Sequence, residues 1–121
     1  MNKSANSSSA NSSNPNRRRS PRRKPRGYVK LKCRKGWLGL GPNVAITLLD
    51  VSESGARLVV RQELALQREV EVELEAHGIN HLIKRVANVR WQLKLEDGTF
   101  CIGIEFEKPL AYSDWQNLVI F

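Results

Sequence analysis

Residues 69–106 read EVEVELEAHGINHLIKRVANVRWQLKLEDGTFCIGIEF. Val70, Val72 and Leu74 alternate with Glu69, Glu71, Glu73 and Glu75, the period of two that makes a half-buried strand with one charged face. His77 to Asn80 turns the chain. Leu82 to Leu95 is a longer strand, expected to bend, with Val89, Trp91, Leu93 and Leu95 on one face. Asp97-Gly98 then signals a hairpin, because a type I′ turn needs positive φ at both central residues. Phe100, Ile102, Ile104 and Phe106 line one face of the strand that follows.

The same period extends upstream. Tyr28 to Cys33 places Val29, Leu31 and Cys33 on one face, and Gly36, Gly39, Gly41, Pro42 and Asn43 form a turn-rich connection. Val44 to Leu49 is an apolar strand, Asp50 to Gly55 interrupts it, and Ala56 to Val60 resumes. Downstream the pattern changes. Ser113 followed by Gln116 fits a capping box, and Trp115, Leu118 and Val119 fall at helical spacing. A short C-terminal helix is expected to lay that stripe over the sheet or over an open end of it. Six strands joined by tight turns make an all-β chain, an antiparallel barrel or sandwich. Closing a barrel removes unpaired strand edges.

A chain of 121 residues holds one compact domain. Its formal net charge of +8 is unevenly placed. Residues 1–36 hold twelve basic residues and no acid, and 37–121 hold eight basic residues against all twelve acids. Residues 1–16 are almost wholly serine and asparagine, too polar to offset the roughly 1–2 kcal/mol per residue that ordering a backbone costs. They are expected to be a disordered tail. Residues 17–26, RRRSPRRKPR, combine like-charge repulsion with two prolines, so an extended, mobile loop is expected before a domain spanning 27–121. No run of ~18 apolar residues exists to cross a membrane as a helix, and the first 26 residues lack the apolar core of a secretory signal. Cys33 and Cys101 are too few and too far apart for a disulfide framework, which makes a reducing cytoplasm the default location.

Catalysis finds little support in these residues. His77 and His81 fall in or beside a turn with no nearby acid or cysteine, so solvated histidines are expected and a metal site is not. Cys33 and Cys101 read as buried structural thiols, and the glutamate row reads as a solvated strand face. No active site assembles, and no enzyme is expected. The segment Asp50-Val51-Ser52-Glu53-Ser54-Gly55 is more informative beside an arginine-rich arm. Asp50 and Ser52 lie two apart, on one side of a strand, and Gly55 permits positive φ or close approach of another group. An arginine fork matches phosphate oxygens and the O6/N7 edge of guanine, while a carboxylate accepts from the guanine N1 and N2 donors.

These motifs resemble those of the PilZ domain, the bacterial receptor module for the second messenger cyclic di-GMP. Arg22 and Arg26 give RxxxR, and Asp50, Ser52 and Gly55 give DxSxxG. The segments ANVRW (87–91) and GIEF (103–106) are similar to the closing strands of that family. Arg18–Arg22 and Arg19–Arg23 also satisfy the first spacing, but Arg22–Arg26 lies nearest the barrel. The resemblance implies a six-stranded antiparallel barrel with a C-terminal helix, no catalysis, no cofactor beyond the ligand, and a signal passed to a downstream protein partner. It implies that Arg22 and Arg26 contact guanine edges and phosphates, that Arg23 adds a phosphate contact, that Asp50 and Ser52 hold guanine and phosphate, and that Gly55 keeps the turn tight. Pro21 directly before the motif leaves one or two ligand molecules open. Two other readings stand beside this one. The first is a PilZ-like interaction module that binds no nucleotide. The second is nucleic-acid binding through the basic arm, disfavoured by an acidic body whose Trp91, Phe100 and Phe106 are expected in the core, with no exposed stacking platform.

Overall fold

A computed structural model of the chain describes residues 21–36 and 40–120. The serine- and asparagine-rich stretch 1–16, residues 17–20 of the arm with the alternative Arg18 and Arg19 registers, and Gly39 lie outside the described residues.

Six strands follow one another: β1 (Val29–Lys35), β2 (Ala45–Val51), β3 (Gly55–Val60), β4 (Glu69–Ala76), β5 (Ile83–Lys94) and β6 (Phe100–Phe106). All paired neighbours are antiparallel, in the order β1-β4-β5-β6-β3-β2. The two end strands come alongside each other and nearly close the sheet into a barrel. One backbone bond, Val44 N–H to Cys33 C=O at 2.8 Å, crosses that seam. The Asn43 side-chain oxygen stitches it further, accepting from Cys33 N–H at 2.9 Å and Ala45 N–H at 3.0 Å. Inward residues of every strand form one core, which includes Cys33, Leu58, Val70, Val72, Val89 and Ile102. Cys33 and Cys101 are both buried and unbridged, and burial pushes the Cys33 thiol up to about 12. The glutamate row of β4 is answered by β1, with Arg34 3.4 Å from Glu73 and Lys30 3.9 Å from Glu75.

Helix α1 (Tyr112–Leu118) packs Trp115 and Leu118 inward. The expected capping box is absent. The helix begins one residue before Ser113, and its N-cap is Ala111, which makes no side-chain hydrogen bond. Its entry is fixed by Leu110, which is buried and donates its N–H to Glu53 C=O at 2.8 Å, while Asp114 places negative charge in the first turn. Val119 is buried but lies beyond the helix, bridged to Pro25.

Two strand expectations are corrected. The β5–β6 pairing shifts register between Val89, opposite Ile104, and Trp91, opposite Gly103. This bulge inserts one residue and reverses which side chains face inward. Val89 is fully buried, whereas Trp91 and Leu93 face out, and Gln92 takes a place toward the core where its side-chain oxygen accepts from Leu64 N–H at 2.8 Å. The Asp97-Gly98 hairpin is real, but only Gly98 has positive φ, so the turn is not type I′. Gly98 N–H donates to Leu95 C=O and Leu95 N–H to Thr99 C=O, and Asp97 accepts from Thr99 N–H at 2.9 Å. The result is a three-residue loop whose glycine takes the left-handed position.

Candidate functional site

Asp50, the last residue but one of β2, lies opposite Arg57 of β3, because the register shifts between Leu48 and Asp50 and brings these two across from each other. Arg57 donates from Nε to Asp50 Oδ2 at 2.7 Å, and its Nη2 lies 2.6 Å from the same oxygen. That hydrogen bond is the main cause holding the Arg57 guanidinium above its ordinary pKa. The other oxygen, Oδ1, faces Arg22 Nη1 at 3.4 Å. One nearly buried carboxylate is thus shared between an arginine of the barrel and an arginine of the arm.

The described part of the arm is extended and hydrogen-bonded to the barrel and to the end of the chain. Arg23 and Val51 exchange both backbone hydrogen bonds at 3.0 Å. Arg26 N–H donates to Leu118 C=O at 2.7 Å, and Ile120 N–H donates to Lys24 C=O at 2.9 Å. Residues 21–26 therefore hydrogen-bond main-chain groups at the end of β2 and at and beyond the end of α1. The Arg26 guanidinium is not beside Asp50; its Nη2 donates to Gln116 C=O in the last turn of α1 at 3.2 Å.

Ser52 and Gly55 hold the intervening turn. Ser52 is buried, and its Oγ accepts from Gly55 N–H at 3.1 Å and from Ser54 N–H at 3.2 Å, with Ser54 Oγ and Gly55 C=O also in reach. Its hydroxyl is engaged by its own turn. Gly55 has ordinary φ, and close approach is what requires glycine: a Cβ there would sit 2.2 Å from the Ile104 carbonyl oxygen.

Trp91 completes the surface. Its indole lies on Gly103, where a Cβ would fall 2.1 Å from Nε1, and it keeps 37% of its surface exposed. The expectation that no aromatic platform is exposed is therefore overturned, for the same reason that the β5 face was misassigned. A hollow of about 430 Å³ is walled by Arg22, Asp50, Arg57 and Trp91. A second, of about 260 Å³, shares Arg22 and Trp91 and is walled beyond them by Gly55, Arg90 and Glu105. A larger hollow of about 630 Å³ lies against Tyr28 and the loop 77–82, with no arginine in its wall.

Among the expected site residues, Arg22, Asp50 and Gly55 converge on this surface, Arg23 is bonded to Val51 beside it through its backbone, Ser52 holds the turn that ends in Gly55, and Arg26 contacts Gln116 instead. Arg57 and Trp91 were missed by the sequence reading. Arg57 carried a signal in retrospect, standing two residues after Gly55 on the same strand face. For Trp91 the signal was a glycine inside a strand pattern, which marks close approach by another group. His77 and His81 hold no metal-type cluster; His81 Nε2 pairs with Asp114 Oδ2 at 3.2 Å, and no group of three potential metal ligands occurs among the described residues.

The sequence pattern of the PilZ domain family matches residues 16–119. A search of curated proteins gives no match. Among solved structures, the K. pneumonia MrkH–c-di-GMP complex is similar in fold, with a TM-score of 0.57 and 20% identity. The likeness covers 86% of this chain and 50% of that one, so the chain spans half the length of that protein.

Proposed function

The chain belongs to the PilZ domain family, and from that membership we propose that it is a receptor for cyclic di-GMP which relays binding to a downstream protein. The observation that carries this reading is the approach of Arg22 to Asp50 at 3.4 Å, which joins the arginine arm to the polar notch. The ligand has two phosphates and two guanines. Arg22 and Arg57 present guanidinium forks for phosphate oxygens and for guanine O6 and N7, and Asp50 accepts from guanine N1 and N2. Trp91 offers a flat indole face for a purine. Arg23 adds cationic charge from the adjoining segment, while Ser52 and Gly55 keep the notch in shape.

Arg26 connects binding to output. To reach the ligand it leaves the Gln116 carbonyl, so capture of the nucleotide competes with the contact between the arm and α1. Movement of residues 21–26 about the ligand is then the shape change that a partner protein reads. The setting is the bacterial cytoplasm, where two unbridged buried thiols are at home. No described helix is long and apolar enough to cross a membrane. One observation favours a second reading, an interaction module without nucleotide: Asp50 has two arginine partners within the chain itself.

Calorimetry with cyclic di-GMP separates the two. Saturable binding, lost in Arg22→Ala/Arg26→Ala and weakened in Asp50→Ala, is the expected result. No heat with the unaltered protein at high micromolar ligand, or equal affinity for GMP, overturns the receptor reading.

A further inference from the structure

The surface around Trp91 repeats itself. On one side Arg57 pairs with Asp50; on the other Arg90 pairs with Glu105, donating from Nε to Oε1 at 2.7 Å with Nη2 at 2.6 Å from the same oxygen. Both hollows share Arg22 and the indole. Both arginines are equally open to solvent, at 45%. Glu105 Oε2 has no hydrogen bond among the described residues, so it remains an open acceptor beside a guanidinium.

The second pair is also held in place from behind. Gln67 is the one non-glycine residue with positive φ among the described residues, a conformation that such residues seldom adopt. Its N–H donates to Val89 C=O at 2.7 Å, and its side-chain oxygen accepts from Arg90 Nη1. The bulge at Arg90 and Trp91 and the backbone of Gln67 together aim one guanidinium at the hollow.

We propose that Arg90 and Glu105 form a second guanine-reading pair across Trp91 from Asp50 and Arg57, so that one cyclic dinucleotide lays a base on each side of the indole. This rests on the receptor reading above. Two like pairs about one flat ring match a ligand made of two like halves. The carboxylate accepts from guanine N1–H and N2–H, and the arginine donates to O6 or N7. Adenine at the same place turns the N1 lone pair toward the carboxylate and is rejected.

Calorimetry of the full chain with cyclic di-GMP, 3′,3′-cyclic GMP–AMP and cyclic di-AMP tests the pair. The unaltered protein is expected to prefer cyclic di-GMP over the mixed dinucleotide by about tenfold or more. Glu105→Gln reduces that preference to less than about threefold. Arg90→Met weakens cyclic di-GMP about tenfold and leaves the mixed ligand nearly unchanged. Thermal unfolding of both variants stays close to the parent, since the pair faces solvent. Binding with the same preference in parent and both variants overturns the pair and leaves the receptor reading intact. Failure of the parent to bind cyclic di-GMP removes both.

Discussion

Trp115 donates its indole N–H to the carbonyl oxygen of Val51 at 2.9 Å, and the same oxygen accepts from Arg23 N–H at 3.0 Å. The buried helix residue and the arm thus meet on a single atom, one residue beyond Asp50. Replacing Trp115 with phenylalanine removes the helix donor and keeps much of the ring. The expected cost is about 1–2 kcal/mol, for one buried hydrogen bond and a small void. Urea unfolding measures it; a variant as stable as the parent would show that the indole N–H contributes nothing.

Gly55 and Gly103 give contrasting outcomes on substitution. Alanine at position 55 drives a methyl into the Ile104 backbone, which cannot swing aside. A loss of at least about 2 kcal/mol is expected, seen as a lower melting temperature.

Alanine at position 103 meets the Trp91 ring instead. The ring must lift from its seat, so the larger effect falls on ligand affinity. Base stacking on an aromatic side chain is worth roughly 1–3 kcal/mol, so Gly103→Ala and Trp91→Ala should each weaken cyclic di-GMP binding about fivefold or more by calorimetry. Unaltered affinity in both variants would remove Trp91 from the site.

Asp50→Ala leaves Arg57 and Arg22 without their carboxylate, but both guanidinium groups have access to water. The stability change is expected to stay within about 1 kcal/mol, while cyclic di-GMP binding falls by more than tenfold. Comparing melts with titrations on one preparation checks this split.

Burial raises the Cys33 thiol from an ordinary 9.0 to about 12. Above pH 9 the unfolded chain ionises this thiol and the folded chain does not, so the unfolded state binds fewer protons and stability falls as pH rises. The contribution is fully present below pH 9 and is lost toward pH 12, with a slope of at most about 1.4 kcal/mol per pH unit. Cys33→Ala should flatten this part of the alkaline stability profile. A parent and variant with parallel profiles would contradict it.

Much of the architecture was legible because burial on one face imposes a period of two. Val70, Val72 and Leu74 announce β4, and Phe100 through Phe106 announce β6, whatever the loops do. The approach of Arg22 to Asp50 was legible through two motifs. The side of Trp91 was not. An alternating pattern assigns faces only while the register runs unbroken, and the bulge after Val89 breaks it without any strong sequence marker. The partnership of Asp50 with Arg57 depends on another register shift, which only pairing across strands reveals. The helix start escaped because Leu110 and the Glu53 backbone fix it, so the polar residue at Ser113 never had to act as a cap.

The antiparallel contact that sets Lys24 and Pro25 beside Ile120 and Val119 has a practical consequence. The leader and the tail of the described chain run as neighbours, so a covalent staple between them would span very little distance. Such a staple would pin the arginine segment to the helix end and fix covalently a contact that hydrogen bonds alone now hold.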